Sequence, residues 1–175
     1  FMKPWTRWLL YLSVLVGSFL VAYVLTAPEE EAISTASFKD IKTLRGQLRS
    51  RKVSSQPDLL AATRETGLRV SKDIKGYVEG VLRVGDDVEI SGWLVDMEGE
   101  GTPPYLFIFL RGKLVAETRP KGERQDVTRA LNLSEGLEEN VKFAVRVKCR
   151  AGEVPQVLAV NASGLYSALN SARCP

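Results

Sequence analysis

The chain has 175 residues, enough for one modest domain with appendages, and carries 24 Lys+Arg against 21 Asp+Glu for a net charge of +3. It contains no histidine, which removes the commonest general base, proton shuttle and metal ligand. Charge is segregated: Lys39, Lys42, Arg45, Arg49, Arg51 and Lys52 crowd one short stretch beside the single acid Asp40, whereas acids outnumber bases from residue 76 onward. That later, mildly acidic part is a poor match for a phosphate backbone, so no nucleic-acid partner is expected.

The first element is an apolar run, Trp8 to Thr26, without charge or proline. As a helix it would rise about 28 Å, close to the hydrocarbon thickness of a bilayer. Lys3 and Arg7 precede it and Glu29, Glu30 and Glu31 follow it. The cations favour the cytoplasmic side, which puts the N-terminus inside and the rest outside. Trp5, Trp8, Tyr11 and Tyr23 sit near the ends of the run as interfacial aromatics do. A cleaved signal peptide is the rival, but the run is long for one, and Leu25 and Pro28 flank the nearest small-residue site unfavourably. An uncleaved anchor in the inner (plasma) membrane is therefore expected over residues 1–27. Ser13 with Gly17 and Ser18 with Ala22 are small pairs spaced by four, a face on which another helix can approach closely.

Pro28 ends the run, and residues 28–67 are expected to form a helical, amphipathic, basic linker. Phe38, Ile41, Leu44 and Leu48 fall on one helical face, with most of the basic groups opposite. Ser37 with Asp40 resembles a capping box. The stripe is expected to dock on a partner; lying on anionic headgroups and plain solvation of the basic face are the alternatives. A second short helix is expected in "SSQPDLLAATRETG", capped by Ser55 or Gln56, with Pro57 at the first helical position and Gly67 at the C′ position.

From residue 68 to 175 the pattern becomes that of strands. "YVEGVLRV" and "DVEISGWLV" flank the turn Gly85-Asp86. "YLFIFL" is apolar throughout and is expected to be buried on both faces. Arg111-Gly112-Lys113 turns into "LVAETR". "DVTRAL" is ambiguous and fits one helical turn; "VKFAVRVKC" alternates; "QVLAVNA" and "LYSAL" follow. Seven or eight strands over this length predict a mainly β fold, an Ig-like β-sandwich outside the membrane. Cys149 and Cys174 are expected to be bridged in such a compartment, against the alternative of two free thiols. "DMEGEG" lacks the spacing of a calcium loop and is expected to be a flexible acidic turn. Asn132-Leu133-Ser134 and Asn161-Ala162-Ser163 match the glycosylation triplet, a common chance match.

Gly76-Tyr77-Val78-Glu79, Ile90 to Asp96 ("ISGWLVD"), Gly112, Arg124-Gln125-Asp126-Val127 and Phe143 together resemble a small β-module appended to many bacterial glycosyltransferases and surface proteins. Gln125 departs from that pattern, where a proline is common. The resemblance spans about residues 76–165, implies a fold, and carries no catalytic set. Strict alternation places Trp93 opposite Ile90, so a core tryptophan requires a bulge, with Gly92 as the natural place. A core role for Trp93 is expected, with an exposed glycan platform as the alternative.

No metal set or nucleophile–base pair is visible, and no cofactor is expected. The expected function is that of a non-enzymatic, single-pass accessory subunit of a larger membrane complex, for which a respiratory or photosynthetic assembly is one setting. Its partners would be the complex subunits and the lipid bilayer. The alternative, taken from the resemblance, is a membrane-anchored carbohydrate- or polysaccharide-binding module.

Overall fold

The structure is a computed structural model and describes residues 38–99, 102–134 and 136–175. These fall within one compact unit, Ser34–Pro175. The expected anchor and its small-residue face, Ser13, Gly17, Ser18 and Ala22, lie outside the described residues. Among the described residues no helix is long and apolar enough to cross a membrane.

The unit is a β-sandwich with two helices packed on the outer face of the larger sheet and a third in the connection between Thr118 and Lys142. Helix α1 (Ile41–Ser50) and helix α2 (Gln56–Glu65) come first. They are followed by strands β1 (Arg69–Val70), β2 (Ile74–Val84), β3 (Asp87–Asp96), β4 (Tyr105–Leu110) and β5 (Lys113–Thr118). Helix α3 (Gln125–Leu131) precedes β6 (Lys142–Val147), β7 (Gln156–Val160) and β8 (Leu165–Leu169). The larger sheet has the order β1-β8-β7-β4-β5 and the smaller β2-β3-β6.

Two apolar layers hold these parts together. Between the sheets lie Val88, Ile90, Leu94, Leu106, Ile108, Phe143, Val157 and their neighbours. On the other side of the large sheet, Phe107, Phe109, Leu158 and Val160 meet Leu44, Leu48, Leu59 and Leu68. "YLFIFL" is therefore buried on both faces, as its unbroken apolar run requires: Leu106 and Ile108 point into the sandwich, Phe107 and Phe109 toward the helices.

The helices are thus part of the domain and not a linker beside it. The stripe expected to dock on a partner instead meets the chain's own sheet. Leu44 and Leu48 are buried, Phe38 and Ile41 pack against the same cluster, and the Phe38 ring lies so close to Gly164 that a Cβ there would be 2.5 Å away. The physical reason is mutual. A ten-residue helix does not persist alone in water, and Phe107 and Phe109 need cover. The cap also differs from the expected box: Asp40 itself is the N-cap, accepting 2.8 Å from the Thr43 amide, which holds its carboxyl below the usual range. In α2 Ser55 is the cap and Gly67, at φ +73°, follows the Thr66 C-cap as expected, while Pro57 stands at the second helical position, one residue later than expected, because Gln56 takes the first.

Cys149 and Cys174 are bonded and close a separation of 25 residues. The bridge pins the tail after β8 to the end of β6.

Candidate functional site

The outward face of the small sheet is the candidate. Alternation on β3 buries Val88, Ile90, Gly92 and Leu94 and turns Glu89, Ser91 and Trp93 outward. Trp93 is half-buried and lies between Tyr77 on β2 and Lys142 on β6. The expected inward bulge at Gly92 does not occur. A Cβ on Gly92 would stand 2.0 Å from the Tyr77 carbonyl oxygen and 2.9 Å from Phe143, so this glycine lets β2 and the inter-sheet layer close up. The register shift lies on β2 instead, between Val78 and Gly80, and leaves Glu79 without a partner on β3. Trp93 is therefore not a core residue: the ladder through Gly92 is too tight for β3 to switch faces there.

Nor is Trp93 on an open plain. The chain between β5 and β6 passes over this end of the sheet. The Lys121 amide donates to the Lys142 carbonyl oxygen, while Gly122 bridges Asn140 beside β6. Two residues later Arg124 reaches Glu79 on β2, at 2.5 and 3.0 Å. The same guanidinium grips Asp126 at 2.8 and 2.6 Å. Asp126, then Glu79, raises the Arg124 pKa, and Arg124 holds the Asp126 carboxyl well below the usual range. Val95, outward by parity, is buried under this excursion, in a recess that Pro103, Pro104, Leu137 and Asn140 also line. The recess has a volume of about 10 Å³, room for about one water.

Farther along the strands the face is open. Tyr77 is 51% exposed, Leu82 64% and Val84 37%, all on β2 at the edge of the small sheet. Charged pairs surround them: Glu89 with Arg146 at 3.3 Å and Asp87 with Lys148 at 2.8 Å. Asp87 raises the Lys148 pKa. This surface offers apolar and aromatic contact with charges at its rim, which suits binding.

The other sequence candidates separate. Asp96, from "DMEGEG", is buried and accepts 2.7 Å from Asn161 Nδ2 and 3.3 Å from the Glu98 amide. The Asn161 side-chain oxygen accepts from the Ser163 and Leu165 amides, so this asparagine is committed to the fold and is no acceptor for a sugar. Among the described residues no three His, Cys, Asp or Glu side chains come together as a metal set. Sequence reasoning missed the Glu79–Arg124–Asp126 clasp. Its residues stood in the quoted motif, but only the fold brings Glu79 to Arg124. No family model, curated protein or solved structure matches the chain.

Proposed function

We propose that the chain is a single-pass accessory subunit without catalytic activity, anchored in the inner membrane by Trp8–Thr26. Its sandwich, of immunoglobulin-like plan, stands on the periplasmic or extracellular side and docks on the external part of a larger membrane protein complex. The observation that carries the proposal is the exposed row Tyr77, Leu82 and Val84 on an edge strand. An apolar row at a free strand edge is a liability in isolation and an asset at an interface. The Cys149–Cys174 bridge supports an oxidising compartment. The strand order, with β2, β3 and β6 facing β8, β7, β4 and β5, fits the Greek-key plan of such sandwiches.

The α1 stripe, being occupied within the domain, drops out as the attachment surface. Docking falls instead to the anchor and the β2 face. The test is co-purification of the full chain in mild detergent, with identification of the accompanying chains. Leu82→Asp should release them while leaving the chain in the membrane fraction. Retention by Leu82→Asp and Tyr77→Asp alike would remove the β2 face from the proposal.

A second function, a membrane-anchored glycan-binding module, is favoured by one observation: Trp93 faces outward beside Tyr77 and Lys142. A wild type that co-purifies with no protein yet binds an envelope polysaccharide, and loses it with Tyr77→Ala, would establish that function over the first.

A further inference from the structure

We infer that the solvent face of α1 is a seat for anionic lipid headgroups, so that the helix lies against the bilayer from which the chain emerges. The position of that bilayer rests on the anchor proposed above; the surface itself rests on the described residues.

Burial of Leu44 and Leu48 fixes the rotation of α1 about its axis. Lys42, Gly46 and Arg49, spaced by four and three, share the opposite face, and all three are exposed. Lys39 adds an exposed cation just ahead of the Asp40 cap. A Cβ built on Gly46 meets nothing within 4 Å, so no part of the described fold overhangs the face at that point. Two bases of the stretch are spent within the domain: Arg45 binds Glu117 through paired 2.5 Å contacts, and Arg51 binds Glu65. Lys39, Lys42 and Arg49 have no ion-pair partner among the described residues. Glu117 and Glu65 are paired with Arg45 and Arg51, and Asp40 alone keeps its charge beside the face, where Lys42 interacts with it, so the three cations leave the face net positive. Collecting an excess of cations on one rigid face costs the domain some self-repulsion. An anionic surface recovers that cost.

Geometry selects the surface. About 14 residues separate the end of the apolar run from the α1 cap, a tether of at most about 50 Å at about 3.5 Å each. On one chain with the proposed anchor, the face meets headgroups at a raised effective concentration, and a contact too weak for a free protein suffices for a tethered one. The apolar stripe is inside the domain, so α1 cannot insert as an amphipathic helix does. The contact is electrostatic and must be salt-sensitive.

The test uses the full chain in nanodiscs. Its two cysteines are bonded to each other, so Gly46→Cys gives a single labelling site. A fluorophore at that site is read against quencher lipids carrying the quenching group on the headgroup. Quenching should be strong in discs rich in phosphatidylglycerol and weak in phosphatidylcholine discs, and about 0.5 M salt should abolish it. Adding Lys39→Gln, Lys42→Gln and Arg49→Gln should weaken the contact equilibrium roughly 100-fold. Equal quenching in the two lipids, or a triple variant that behaves like the parent, overturns the inference. It is also overturned if quenching appears only after Glu29, Glu30 and Glu31 are changed to Gln, because the face would then belong to the chain's own acidic run. Failure of the anchor is read separately, as extraction of the chain by alkaline carbonate. A chain so extracted that still sediments with anionic vesicles and not with neutral ones upholds the surface.

Discussion

Gly92 and Trp93 are neighbours with opposite tolerances. The glycine sits where a Cβ would collide with backbone, the Tyr77 carbonyl oxygen 2.0 Å away, and backbone in a ladder cannot yield without breaking its hydrogen bonds. The tryptophan is half-buried on the far side of the same strand. Gly92→Ala should therefore cost about 3 kcal/mol or more, and Trp93→Ala only about 1–2 kcal/mol, below the range for a fully buried aromatic. Urea unfolding of the two variants checks the order; a larger loss for Trp93→Ala would return that residue to the core. The clasp gives a pH dependence. Arg124 lowers the Asp126 pKa in the folded state, so this carboxylate stabilises the fold fully above its ordinary value near 4 and loses that effect as pH falls through the lowered one. Asp126→Asn should accordingly flatten the acid limb of the stability profile below about pH 4 and leave its shape near pH 7 unchanged. An acid limb identical to that of the parent would remove Asp126 from the pH response.

Among the elements, periodicity shows which residues of α1 share a face but not what covers them. Phe38, Ile41, Leu44 and Leu48 read equally well as a docking stripe or as part of a core. The deciding fact was the second face of β4, whose Phe107 and Phe109 demand a cover that the sequence does not locate. Leu48→Ala should thus destabilise the domain by about 2–4 kcal/mol, seen as an earlier urea midpoint. A normal midpoint combined with loss of a bound partner would restore the docking role. Other elements were legible because their signals are local: the α2 caps, the Arg111-Gly112 turn with φ +52° and +78°, and the even alternation of β6. The disulfide was legible from the cysteine count together with the compartment that the apolar run led one to expect. For Trp93, parity in the strand was the better guide, and the general habit of sandwich tryptophans misled. The two-residue β1 carries too little pattern to be seen, since its pairing with β8 is entirely tertiary. The candidate site was half legible: "ISGWLVD" marked its centre, but the exposed Leu82 and Val84 gain meaning only from the edge position of β2.

At the scale of the molecule, protease added to intact spheroplasts should remove the domain if Lys3 and Arg7 remain cytoplasmic, and full protection would reverse the proposed orientation. Its architecture also bears on time. The first strand pairs with the last, Arg69 opposite Leu165. Helices α1 and α2 rest on β4 and β7, with the small-sheet strands β2 and β3 between them in sequence. Helices of ten residues gain little by forming early. Closure must wait until almost the whole domain has emerged, and pairings so distant in sequence make folding slow. Meanwhile "YLFIFL" travels with both faces bare, a segment of high aggregation hazard. A chain delivered through a membrane would have to be shielded at β4 until β7 arrives. The yield of folded protein should then depend more on a holding chaperone in the receiving compartment than on the final stability of the sandwich.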